Sequence, residues 1–310
     1  MDSVDTLPAA KAHLSASEQL NFLLTNRLPR RWLTLFMGRF SRIESPALTR
    51  LSIAVWQQFA DDLRLQDAQT QQFRSLQECF TRQLKPGLRP VDARPEIVSS
   101  PCDALIGACG RIQGNQLFQA KGFPYTLEDL IPDERVAARY RNGQFVTLRL
   151  KSSMYHRFHA PVDCRVRQVN YISGDTWNVN PIALKKVEKL FCKNERAVLE
   201  LECGHPDYCL TLVPVAAILV ASMKFHFLPE PLDLTYQGAN RIPCDARLQK
   251  GEEMGYFQHG STIIAFASEQ YHLCPGIAEG HSIKMGEALL SGHPVTGTKT
   301  STETTPTPDI

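Results

Sequence analysis

The chain changes character at a proline-rich stretch, and that change limits what it can fold into. KPGLRPVDARPEIVSSP, residues 85–101, carries four prolines and reads as a linker or crossing segment. After it come short apolar runs: QLFQAKGF, QFVTLRL, CRVRQVNYI, AVLELE, CLTLVPVAAILVA and STIIAFA. Gly, Pro, Asn and Asp punctuate them, as between strands. In QFVTLRL, Val146, Leu148 and Leu150 alternate with Thr147 and Arg149, the period of a half-buried strand. One helical pattern interrupts, PIALKKVEKLF at 181–191. Before the prolines the pattern is helical. SASEQLNFLL offers Ser15 or Ser17 as a cap, PRRWLTLFMGRF opens on Pro29, and TQQFRSLQECFTRQLK suits a further helix. In SPALTRLSIAVWQQFADDL, Leu48, Leu51, Val55, Phe59 and Leu63 recur at helical spacing. The predicted class is α+β, with a helical N-terminal region (1–95) followed by an antiparallel-rich β-sheet or barrel-like domain (96–293). The Thr/Pro-rich tail 294–310 lacks core-forming residues and is expected to be disordered.

Composition narrows the classes. Hydrophobic residues at 43% and charged residues at 21% describe a soluble globular chain. A formal charge of +2 gives no global reason to expect nucleic acid. Nine cysteines, an odd number without a CxxC pair, fit a reduced compartment better than a disulfide framework. Cys203, His205 and Cys209 are close in sequence but match no zinc spacing, so no metal is expected. MDSVDTLPAAKAHLS lacks the apolar segment of a signal peptide. The longest apolar run, LTLVPVAAILVASM at 210–223, is too short to span a bilayer and contains Pro214. Membrane contact, if any, is expected to be peripheral. Residues 20–43 mix Leu, Phe, Trp and Met with Arg27, Arg30, Arg31, Arg39 and Arg42. Such a segment either lies in a membrane interface or packs on its own domain with a solvated basic face.

Three stretches carry chemistry: SSPCDALIGACG with Asp103, SSMYHRFHAPVDC with His156 and His159, and the GST of Gly260-Ser261-Thr262 ahead of a β-branched run. Singly, each reads as a turn acid, a pair of strand-end rings and a turn. Together they supply an acid, a histidine and a serine, the parts of an activated nucleophile. No G-x-S-x-G elbow surrounds Ser261, and Rossmann and P-loop fingerprints are missing. A serine preceded by Gly suits attack of its own Oγ on the Gly260 carbonyl, because glycine leaves the approach open and tolerates a strained backbone.

These stretches resemble the phosphatidylserine decarboxylases, pyruvoyl-dependent enzymes that cut themselves. The resemblance runs from about residue 20 to about 290. It rests on FTRQLKPGLRPV (80–91), SPCDALI (100–106), MYHRFHAPVD (154–163), NVNPIALKKVEKLFCKNER (178–196), VAAILVAS (215–222), KGEEMGYFQHGST (250–262) and IKMGEALL (283–290). It implies a self-processing triad in which Asp103 orients His159, His159 takes the Ser261 proton, and Ser261 attacks Gly260. β-Elimination of the resulting ester would free a β chain (1–260) and leave a dehydroalanine at position 261, whose hydrolysis releases ammonia and leaves the α chain (261–310) blocked by a pyruvoyl group made from Ser261. That ketone would form a Schiff base with phosphatidylserine and serve as the electron sink for loss of CO2, giving phosphatidylethanolamine. His156 is the implied proton donor to Cα. In extended chain, residues three apart point to opposite faces, so both histidines serve one site only if YHRFH bends.

The resemblance further implies a peripheral enzyme on the cytoplasmic side of the cell membrane, bound to an anionic surface through residues 20–43. It also implies a heterodimer of α and β chains, in a homo-oligomer. The chain departs from the family pattern at Ala104, Met154, Ala216 and Ala221. Two alternatives stand beside this reading: a pyruvoyl decarboxylase of a soluble amino acid, and a non-catalytic β-barrel binding homologue.

Overall fold

A computed structural model describes residues 29–118, 124–218, 222–258 and 261–292. The expected helix over SASEQLNFLL, residues 20–28 of the basic segment, His259, Gly260, Ala221 and the tail lie outside the described residues.

Two helices come first, α1 (Arg30–Phe40) and α2 (Pro46–Phe59). α1 starts directly after Pro29, and α2 is capped by Ser45, whose Oγ accepts the Leu48 N–H, with Pro46 in its first turn. The third expected helix shrinks to α3 (Leu76–Phe80), capped by Ser75. α2, α3 and the chain between them enclose a small cluster of their own around Ile53, Leu63, Ala68, Phe73 and Cys79.

Strands follow in the order β1 (Ile97–Ser99), β2 (Ala104–Arg111), β3 (Gln116–Phe118), β4 (Pro124–Thr126), β5 (Gln144–Leu150), β6 (Arg157–His159) and β7 (Cys164–Ile172). Next come β8 (Arg196–Glu202), β9 (Cys209–Ala216), β10 (Ser222–Phe225), β11 (Leu232–Asp233), β12 (Arg241–Leu248) and β13 (Glu253–Phe257). The last four are β14 (Ser261–Ala267), β15 (His272–Leu273), β16 (Ser282–Ile283) and β17 (Ala288–Ser291). Helices α4 (Leu127–Leu130) and α5 (Glu134–Ala138) precede β5, and α6 (Pro181–Lys186) and α7 (Leu190–Lys193) precede β8. The helix expected at 181–191 is therefore broken, and Lys189 at the break has a left-handed φ of 51°.

An eight-stranded antiparallel sheet, ordered β12-β7-β8-β9-β14-β5-β2-β16, dominates. It is open, with β12 and β16 at its edges, so the β region is a set of sheets rather than a closed barrel. A four-stranded sheet, β11-β10-β13-β6, and a three-stranded one, β1-β17-β15, complete the layering, and β3 pairs with β4.

The centre of the large sheet is buried on both faces. Ile263 and Ala265 belong to a core shared with Phe158, Met223 and Phe257 of the four-stranded sheet. Ile264 and Phe266 belong to a second core, roofed by Leu127, Val136, Leu184 and Phe191 of the helices. The strand's two-residue period explains the split. It also assigns Ser261 to the first face, toward the sheet that carries β6.

Candidate active site

Ser261 opens β14. Its Cα pairs with Ala216 of β9 on one side and with Leu150 of β5 on the other. It is fully buried, and its Oγ has no hydrogen-bond partner among the described residues. It lines a cavity of about 430 Å³ with Phe59, Asp61, Arg149, Lys151 and Asn180. A buried hydroxyl without a partner forgoes its hydrogen bonds to water, so its position requires a compensating reason.

Asp103 ends the SPCD turn just before β2. Its carboxylate accepts from Arg89 Nε (2.7 Å), from Arg89 Nη2 and from the Met285 N–H (2.9 Å). Both side chains of the pair are about nine-tenths buried, a bidentate arrangement that fixes the carboxylate plane. The turn that presents Met285 N–H needs glycine at the next position: Gly286 has φ +89°, and a Cβ there would come within 2.4 Å of Pro90 O.

His159 ends β6. Its N–H donates to Pro101 O (2.8 Å), which ties the histidine strand to the Asp103 turn. Its ring Nδ1 faces Gly251 O (2.9 Å) and its Nε2 faces the Tyr155 hydroxyl (3.1 Å). A carbonyl only accepts, so Nδ1 carries the proton and Nε2 takes the Tyr155 O–H. Burial lowers the His159 pKa below its ordinary 6.5 and favours this neutral ring.

His156 is fully buried. Its Nδ1 donates to Met154 O (2.8 Å), and its ring packs on Phe80 with centroids 4.0 Å apart. The chain turns at Ser152–Met154, ahead of both histidines, and runs extended from Arg157. Phe158 enters the core below Ser261, so strand alternation sends His159 the other way, toward Tyr155 and Gly251.

The sequence-derived residues are thus partly assembled. Asp103 and His159 meet through the Pro101 backbone, yet share no hydrogen bond, and none joins His159 to Ser261. Asp103 and Ser261 line adjacent cavities that have Asp61, Lys151 and Ser153 in common. Gly260, the other half of the expected scissile bond, lies outside the described residues.

A family model for phosphatidylserine decarboxylase matches residues 76–291. The chain is 33% identical over 283 residues to a protein of Dickeya dadantii named phosphatidylserine decarboxylase proenzyme, covering 88% of this chain and 92% of that one. A protein of the same name from Haemophilus influenzae is 33% identical over 272 residues, covering 84% and 92%. One from Shewanella frigidimarina is 31% identical over 287 residues, covering 87% and 97%. The chain belongs to the phosphatidylserine decarboxylase family. The matched span contains Asp103, His156, His159 and Ser261 and excludes α1, α2 and the cavity residues Phe59 and Asp61.

Within this family member, the departures from the expected pattern have local accounts. Met154 closes the turn that replaces the expected acid: its Sδ accepts the Lys151 N–H (3.4 Å) and its carbonyl holds His156. Ala104 and Ala216 are buried at strand ends. Arg89 and Tyr155 were not singled out from the sequence, although both lie inside quoted motifs, LRP and YHR. A second charged or hydroxyl-bearing residue within such a motif was the available signal.

Proposed function

We propose that this chain is a phosphatidylserine decarboxylase, a carboxy-lyase, that matures by cutting itself between Gly260 and Ser261. The observation that carries the reading is the Ser261 hydroxyl, buried at the head of a central strand with no hydrogen-bond partner among the described residues, in a residue that borders a cavity. An orphaned hydroxyl there fits a residue that is consumed to form the pyruvoyl group. Bound at position 261, that group supplies a ketone able to absorb the electron pair left when the substrate carboxylate departs.

The chain's own residues divide the remaining work. His159, neutral and with its lone pair on Nε2, is the base for the Ser261 proton. The Tyr155 hydroxyl occupies Nε2, so it yields that place or passes the proton on. Asp103, held rigid by Arg89, supplies negative charge beside the histidine strand as the ring charges. His156, with its proton fixed on Nδ1 by Met154 O, is the proton donor to substrate Cα once Nε2 is loaded.

The unit division proposed is 1–95, 96–293 and 294–310; the separate apolar cluster of the first helices supports the first boundary. No helix among the described residues is long and apolar enough to cross a membrane. Peripheral binding to the anionic cytoplasmic face of the cell membrane is supported by the exposed apolar residues of α1 and α2 beside Arg31, Arg39 and Arg50. A heterodimer of the cut chains, assembled further with copies of itself, completes the proposal.

Intact-mass analysis tests the core of it. The purified protein should give two chains, 1–260 and 261–310, the second lacking a free amine and reactive toward a hydrazide. Ser261→Ala should remain one chain. A wild-type chain that stays whole overturns the reading.

A further inference from the structure

The cavity beside Ser261 has a charged rim that the self-cleavage chemistry does not use. Leu150 is the cross-strand partner of Ser261, so Lys151 follows that partner directly, on the side of the expected cut. Lys151 Nζ pairs with Asp61 Oδ2 at 3.0 Å. Both line the Ser261 cavity, and both are substantially exposed, at 45% and 67%. Arg149, two residues earlier, lines the same cavity; its Nε is buried and has no partner among the described residues. Asp61 lies just past α2, whose last residue, Phe59, is 88% exposed and also lines the cavity. The outward apolar ridge of α2, Leu51, Val55 and Phe59, therefore ends at the cavity mouth.

We propose that Lys151 is the phosphodiester-binding residue of this cavity, and that Asp61 holds its ammonium in place until a lipid phosphate replaces the carboxylate. The proposal rests on the decarboxylase reading and names the part of the substrate that the cavity rim recognises. In phosphatidylserine the phosphate is only a few bonds from the reacting amine. A cation one residue from the Ser261 partner is at the right place to hold that phosphate while the amine reaches position 261. A half-exposed ion pair contributes little in water, so a second anion replaces Asp61 at small cost. The lysine then exchanges one oxyanion for another, and the acyl chains leave along the Phe59 ridge. Free serine lacks the phosphate and gains nothing from Lys151, which makes this residue a source of specificity for the lipid.

Two measurements with short-chain lipids, kept below micelle concentration to remove surface effects, test this. In the first, calorimetry follows binding of dihexanoyl phosphatidylethanolamine, the short-chain product, to the mature protein. Lys151→Met should bind about tenfold more weakly, Lys151→Arg should bind within a few fold of wild type, and Asp61→Asn should bind as well or better. In the second, turnover of dihexanoyl phosphatidylserine by Lys151→Met should show KM raised about tenfold with kcat held within about twofold. Equal binding and equal KM in Lys151→Met overturn the proposal while wild-type turnover leaves the decarboxylase reading intact. Lys151-dependent binding in a protein that turns nothing over supports the phosphate site and overturns the decarboxylase reading instead. A wild-type protein that neither binds nor reacts overturns both.

Discussion

His159 accepts a proton only while neutral, so the pH at which it charges sets when the chain can cut itself. Its burial disfavours the imidazolium and moves its pKa below 6.5. The sign follows directly: the neutral base is fully present above 6.5 and is lost as pH falls through the lowered value. Self-cleavage of freshly translated precursor should therefore run at a flat rate from about pH 7 to 8 and decline only below the ordinary histidine range. The Tyr155 O–H donates to the Nε2 lone pair and stabilises the same neutral form. Removing that hydrogen bond in Tyr155→Phe should move the midpoint up, toward the ordinary histidine value. Rates of chain cleavage against pH check both; a wild-type midpoint at or above 6.5 contradicts the assignment of His159 as the buried base.

At the scale of elements, α2 shows what periodicity does and does not reveal. The spacing of Leu48, Leu51, Val55 and Phe59 marked a helix, and the helix is there. It could not say which side faces the protein. Thr49 and Ile53 point inward, while Leu51, Val55 and Phe59 are 63%, 51% and 88% exposed. On α1, Trp32 is 67% exposed, but Arg30 is not part of a basic outer face: it pairs with Asp175 at 2.6 Å and lies 3.7 Å over the Trp177 ring. Arg42 likewise reaches Gln258. An apolar stripe turned to solvent suits a membrane interface, where each buried side chain contributes about 1.5–3 kcal/mol. Val55→Asp with Phe59→Asp should thus weaken binding to phosphatidylglycerol vesicles at least tenfold, with little loss of melting temperature because neither side chain is packed. Vesicle flotation and thermal melting measure the two effects, and undiminished flotation counts against this face. The break in the helix expected over 181–191 escaped the sequence because Val187 leaves α6 extended and Lys189, the N-cap of α7, is left-handed, conformations that neither residue type announces.

Across the whole molecule, the order of motifs along the chain was readable, and so were β5, β7, β8, β9 and β14 of the large sheet, since short apolar runs with a two-residue period leave a strong signal; β2, β12 and β16 were not read. The wiring of the site was not. Arg89 and Asp103 stand 14 residues apart on a proline-rich segment without a period, and Met285 reaches Asp103 from 182 residues away. That long reach has a consequence for the mature protein. The proposed α chain contributes β14, hydrogen-bonded on both sides by β9 and β5, and all seven of its residues are buried. It also contributes β16, paired with β2, and β17, paired with β1, so with the two ladders of β14 four ladders cross between the two cut chains. Separating the chains would open both apolar cores and strip a central strand of its partners on each side. The cut protein should accordingly elute from gel filtration as one species containing both chains, at any dilution and at high salt. It should come apart only in denaturant, and the α chain alone should aggregate once the denaturant is removed. Recovery of a soluble, free α chain under native conditions would contradict this placement of β14 in the middle of the sheet.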